Sequence, residues 1–195
     1  MYNAFRISEK VFIALAVIGF LLKSALTDGG SPILLIGSGL LATLYFLGGY
    51  FQARPVSFSP PEVQHPVHKA VVLRILSGLP LAVVVVGILF RLMIWPGDTD
   101  ELTSGLVLGI PLLIWAFLSS RNLRQGVPTQ VFYRLAAVMI VGAATLFTPV
   151  SSLIRWFHRD DTELADKMIY QVQHPNDPAA AQAVRSHLQT KRQQP

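Results

Sequence analysis

The chain contains no cysteine, which excludes disulfide frameworks, thiolate metal sites and cysteine nucleophiles. Charge is scarce as well. Asp, Glu, Lys and Arg make up 14% of its 195 residues, against about a quarter in ordinary soluble domains. So little charge cannot cover a water-soluble globule, which speaks against a cytosolic enzyme. A hydrophobic content of 52% excludes intrinsic disorder. No G-x-S-x-G, H-E-x-x-H, P-loop or dinucleotide motif occurs. The sequence therefore offers no catalytic residue, no cofactor and no metal site. His65 and His68 stand three apart in a Pro-rich stretch, and His158 lies near Asp160 and Asp161. Neither set has a fixed scaffold, so both read as ordinary polar residues.

Long apolar runs are what the chain has instead. Five occur, at 11–27, 32–51, 75–95, 99–120 and 135–154, each near the roughly 20 residues that a helix needs to cross a bilayer. None alternates with period two, so a membrane barrel is not expected. The sequence predicts an all-α polytopic membrane protein of about five transmembrane helices. Residues 1–155 form the transmembrane domain, with repeat-like helical hairpins at 11–51 and 75–120 and a fifth helix at 135–154. A polar tail, 156–195, is expected to be helical in two pieces, with Asp177 capping the second and Pro178 opening it. The first run has a rival reading as a signal peptide with Arg6 and Lys10 at its start. Ala25-Leu26-Thr27 is a poor cleavage site and Lys23 interrupts the apolar stretch, so the run is expected to be retained.

Cations cluster between the runs. Arg6 and Lys10 precede the first; Arg54, Lys69 and Arg74 occupy one long loop; Arg121, Arg124 and Arg134 occupy the other. The two short turns carry Asp28, Asp98, Asp100 and Glu101 instead. The positive-inside rule then places the N-terminus in the cytoplasm of a bacterial inner-membrane protein and the tail on the far side. Arg155 and Arg159 oppose that placement of the tail. The net charge of +5 therefore reads as topology, with a lipid bilayer as partner and no nucleic acid. Local signals fill in the turns: Ser31 as a helix cap before Pro32, and Asp98 with Glu101 at capping-box spacing. Pro80, Pro111 and Pro149 lie inside runs and are expected to kink them. Trp95 and Trp156 sit at run ends, where an aromatic belt belongs.

A shift of 68 residues lays the first pair of runs on the second. Gly19, Lys23, Gly29 and Gly37 fall on Gly87, Arg91, Gly97 and Gly105. Gly105 with Gly109, and Ser38 with Ala42, have the small-x-x-x-small spacing that lets helices approach closely in lipid. Apart from Asp100 and Glu101 at the very start of the fourth, every carboxylate falls outside the five runs, leaving Lys23 and Arg91 as the cations well inside them. Snorkelling anchors are the expected role for both; contacts to an anion or a partner are the alternative.

The run Gly87-Ile88-Leu89-Phe90-Arg91-Leu92-Met93-Ile94-Trp95-Pro96-Gly97 resembles the signature of the GldL-type membrane hairpin of bacterial gliding motility and its associated secretion system. That signature reads Gly, a few apolar residues, Phe-Lys, then His-Trp-Pro-Gly and a second helix bearing a glycine. Gly87, Phe90, Trp95, Pro96, Gly97 and Gly105 match, and Arg91 replaces the lysine. The resemblance implies a helical hairpin in a bacterial inner membrane and, for motility members, a proton-driven motor subunit around a membrane partner. Ile94 stands where that family has histidine, and Gly109 about where its second helix has a buried glutamate. The expected role is thus a non-catalytic scaffold or partner subunit, as a homo-oligomer or with a membrane partner protein. A small transporter or channel subunit with Lys23 and Arg91 lining an anion path, and a motor-type subunit, are the alternatives.

Overall fold

A computed structural model describes residues 2–26, 29–51, 61–121 and 129–193. All the regular structure among them is helical: α1 (Tyr2–Ser24), α2 (Gly30–Phe51), α3 (Pro61–Met93), α4 (Asp98–Arg121), α5 (Thr129–Phe147), α6 (Val150–Phe157), α7 (Thr162–Gln173) and α8 (Pro178–Gln193). Three stretches are long and apolar enough to cross a membrane: Gly30–Gly48, Ile75–Met93 and Asp98–Ser119. A fourth arises if α5 and α6 together count as one broken span. The count is therefore three or four, against the five apolar runs.

The two shortfalls have different causes. α1 begins well upstream of its apolar run and so takes in Arg6, Glu9 and Lys10 as well as Lys23. The fifth run is cut at Thr148-Pro149, where the chain turns by 89° into α6. Proline lacks the N–H that would continue the ladder and its ring disfavours helical geometry at the residue before it. Pro80 and Pro111, by contrast, lie within continuous helices. α3 also starts earlier than expected, so His65, Pro66 and His68 belong to a helix of 33 residues rather than to a loop. Arg134 likewise lies in α5, not in the preceding loop. Asp28, Arg54 and Arg124 are outside the described residues.

α1 packs on α2, α2 on α3, and α5 on both α3 and α4. Their shared core centres on Leu41, Tyr45, Leu81, Val84, Leu102 and Leu135. The outward faces are also apolar: Ile18, Leu21, Ile36, Phe46, Val107, Leu118 and Ile140 are each more than half exposed.

Contacts 68 residues apart coincide. A Cβ on Gly19 would meet the backbone of Leu34, and one on Gly87 the backbone and side chain of Leu102. Gly37 faces Ala16 just as Gly105 faces Val84. Beyond α1 the Leu26 N–H reaches the Lys23 carbonyl (3.1 Å), and beyond α3 the Ile94 N–H reaches that of Arg91 (3.2 Å). Leu26 (φ 59°) and Ile94 (φ 57°) are both left-handed, a conformation that usually calls for glycine at a helix end. Gly29 (φ 101°) and Gly97 (φ 86°) follow. Their carbonyls accept the first helical bonds of α2 and α4, from Ile33 and Glu101. The glycines are thus the caps. Ser31 and Asp98, expected to cap, already lie inside the helices, and Asp98 is free to bind elsewhere.

In the tail, Asp161 caps α7 by accepting the Leu164 N–H (3.0 Å). Asp177 caps α8 through the Ala179 N–H (2.9 Å), with Pro178 first in the helix. Trp156 and Phe157 belong to α6, so the polar tail starts about two residues later than expected.

Candidate functional site

The ends of α1, α3 and α5 come together through their cations. Lys23 donates from Nζ to the carbonyl of Leu92 (2.6 Å) near the end of α3, with the sulfur of Met93 at 3.5 Å. The same ammonium lies over the Phe157 ring of α6, 4.6 Å from its centre. Arg91, 68 positions on, is 7% exposed. Its Nη1 donates to Asp98 (2.6 Å) and Thr99 (3.1 Å), and its Nη2 to the carbonyls of Leu146 (3.2 Å) and Thr148 (2.8 Å). Both cations thus reach the C-terminal carbonyls of another helix. Those groups have no partner within their own helix, and its dipole places negative charge there. Neither side chain runs out to a free surface, as a snorkelled cation would. Arg91 meets the groups that the Pro149 break would leave open.

Trp95 follows at the α3–α4 turn, its ring edge-on to Phe90 at 5.2 Å and its backbone N–H donating to the Phe90 carbonyl (2.9 Å). Pro96 and Gly97 complete the exposed turn. The packing glycines all face the chain's own helices: Gly37 the Ala16 backbone, Gly105 Val84, and Gly109 the side chain of Met139 in α5. The small-residue faces expected to bind other helices are therefore occupied within the chain.

A second charged cluster lies at the opposite end of α1. Arg134 of α5 donates to Glu9 (2.7 Å), Tyr45 of α2 donates to the same carboxylate (3.1 Å), and the guanidinium covers the Phe5 ring. Glu9 and Arg134 lie outside the apolar runs of the sequence. A signal was present, because Phe5, Glu9, Phe12, Ala16, Gly19 and Lys23 follow one helical stripe of alternating four- and three-residue steps. A carboxylate on the packing face of a helix needs a buried partner.

The tail carries an open groove of about 520 Å³ lined by Asp161, Glu163, Lys167, His187 and Lys191, among others. Its charges satisfy one another: Asp161 receives Lys191 (2.9 Å) and His187 (3.1 Å), and Glu163 receives Lys167 (2.6 Å). The Lys191 ammonium and the Leu164 N–H hold the Asp161 carboxyl well below the usual carboxylate range. Burial, then the charge of Lys23, pushes the His158 ring below its ordinary value. No three His, Asp or Glu side chains among the described residues are placed to hold a metal ion. No protein-family model, curated protein or solved structure matches the chain.

Proposed function

We propose that the chain is a five-span integral protein of a bacterial inner membrane, acting as a non-catalytic scaffold or partner subunit of a membrane complex. The observation that carries this reading is the division between charge and surface. Arg91 is engaged with Asp98, Arg134 with Glu9, and Lys23 with a helix carbonyl. The outward faces of α1, α2, α4 and α5 are apolar. A continuous apolar exterior of that extent suits lipid rather than water. α1 joins the spans because Val11, Ile13, Val17, Ile18 and Leu21 all face outward. α5, with 19 residues, covers about 28 Å, close to the hydrocarbon thickness. On this reading α1–α2 and α3–α4 are two related hairpins in a parallel repeat. The likeness to the GldL-type hairpin suggests a motility or secretion assembly as the setting. Ile94 and Gly109 in place of titratable residues weigh against a proton-driven motor. Cations already bound to the chain weigh against an anion path.

Reconstitution tests this. Purified protein in liposomes is expected to show no proton or anion flux above empty vesicles. An impermeant thiol reagent applied from outside is expected to label Asp100→Cys and not Glu62→Cys. A current abolished by Arg91→Ala with insertion unchanged would replace the scaffold with a transporter. Release of the protein by alkaline carbonate would end the integral-membrane reading.

A further inference from the structure

α6 turns 89° from α5 and leads away from the level at which Lys23, Arg91 and Thr148 meet. If α5 runs along the membrane normal, as proposed above, a right-angle turn lays α6 in the plane of the membrane. One side of α6 is docked on protein: Leu153, Ile154 and Phe157 are buried, and Trp156 and Phe157 stand edge-on to Phe20 of α1 at 6.2 and 6.3 Å. The other features face outward. Phe147, at the bend, is 84% exposed, and Trp156 is half exposed. The Arg155 side chain is 72% exposed, with Asp166 at 3.7 Å as a loose partner. The polar chain resumes directly beyond, at His158, Arg159 and Asp160.

Arg91 fixes this geometry. By holding the Leu146 and Thr148 carbonyls it satisfies the backbone on which the turn depends. Such a satisfied break is tolerated at membrane depth, where an open one is not. A large aromatic beside a long cation, on a short helix at right angles to a span, fits the boundary between headgroups and acyl chains.

We infer that α6 is an interfacial helix whose occupant is the lipid surface of the same bilayer, with Trp156 and Phe147 seated among the upper acyl chains and Arg155 at headgroup level. The acids Asp160, Asp161 and Glu163 follow within two turns, so the seating rests on the aromatics and needs no anionic lipid. The inference depends on the membrane reading, and one measurement separates the two.

The full chain carries three tryptophans, in the α3–α4 turn (Trp95), in α4 (Trp115) and in α6 (Trp156). Two single-tryptophan proteins follow, W95F/W115F, which retains Trp156, and W95F/W156F, which retains Trp115. Each is reconstituted in phosphatidylcholine vesicles brominated either near the headgroup or near the chain ends. Trp156 is expected to emit at shorter wavelength than free tryptophan and to lose more emission to shallow bromines than to deep ones. Trp115 is expected to be quenched by lipid in either case. Quenching of Trp156 by aqueous iodide, with no loss to either bromolipid while Trp115 still responds, overturns the interfacial helix and leaves the span reading standing. If neither tryptophan responds to bromolipid, both fall. Should Trp156→Phe impair folding of the Trp115 control, resistance of the reconstituted W95F/W115F protein to release by alkaline carbonate serves as the span control in its place.

Discussion

The two stretches related by 68 residues share a backbone and differ in how they place a charge. Gly19 and Gly87 admit a facing helix, Gly29 and Gly97 cap the return helix, and Leu26 and Ile94 make the same left-handed turn. Asp98, however, corresponds to Gly30, so Lys23 has no acid where Arg91 has one. Lys23 reaches across to the Leu92 carbonyl of α3. Arg91 keeps Asp98 inside its own stretch and extends two further donors to α5. Glycines and turns thus set the shape of the pair, and a single acid decides which neighbour each cation holds. Together the cations link the ends of α1, α3 and α5 in chain order.

Removing each cation gives the largest expected effect. Arg91→Ala leaves a partly buried Asp98 without its cation and two carbonyls without their donor, and loss of one member of such a pair costs up to about 3–5 kcal/mol. Lys23→Ala removes one charged hydrogen bond to a backbone carbonyl from a half-buried site, a loss of about 1.5–3 kcal/mol. Thermal unfolding in detergent, followed by circular dichroism, checks the ratio. Equal losses would mean that Asp98 contributes nothing to the difference.

Glycine substitutions are next in size. Gly19→Ala and Gly87→Ala each push a methyl into the facing helix, at a cost of about 1–3 kcal/mol. Gly39 faces open space, so Gly39→Ala should instead stabilise α2 by up to about 1 kcal/mol. The same unfolding measurement applies, and a neutral Gly87→Ala beside a costly Gly19→Ala would break the equivalence of the two stretches.

These glycines were legible in the sequence because a close approach or a left-handed turn leaves few other choices, and a shift of 68 lines them up. The existence of the apolar helices was legible for the same reason: twenty apolar residues admit few alternatives. The Glu9–Arg134 pair was not. It joins residues 125 apart, and the apolar runs were drawn too narrowly to include the first turns of α1 and α5. Pro149 announced a bend but neither its size of 89° nor that Arg91, far away in the chain, meets the carbonyls there. The caps slipped by two residues in one turn and one in the other, because Ser31 and Asp98 are residue types that cap helices, while the positive φ of Gly29 and Gly97 shows only in the backbone.

Relief of the left-handed residues is smaller. An L residue in that conformation costs about 1–2 kcal/mol, against glycine's larger entropy loss of roughly 0.5–1. Ile94→Gly and Leu26→Gly are therefore each expected to stabilise by up to about 1 kcal/mol. The gain should be larger for Ile94, whose branched Cβ suffers more there. Unequal signs would show that the turns are alike in dihedral angle only.

The last difference is in response to pH. Lys23 lies close enough to His158 to add its repulsion to the burial that already disfavours a charged ring. The folded state thus prefers neutral His158. Its contribution is fully present above the unfolded value of about 6.5 and is lost as pH falls through the lower folded value. Docking of α6 on α1 should then weaken below about pH 6.5, seen as loss of the environment around Trp156 in a protein where it is the sole tryptophan. Lys23→Gln removes the second-largest cause and keeps the largest, burial, along with the opposing charges of Asp161 and Lys191, so the folded value rises part of the way back toward the ordinary one and the weakening becomes shallower. Arg91→Lys keeps the charge at the other cation site and should leave the profile unmoved. If it shifts the profile as much as Lys23→Gln does, the two cation sites act as one unit, and the division drawn between them by Asp98 does not hold.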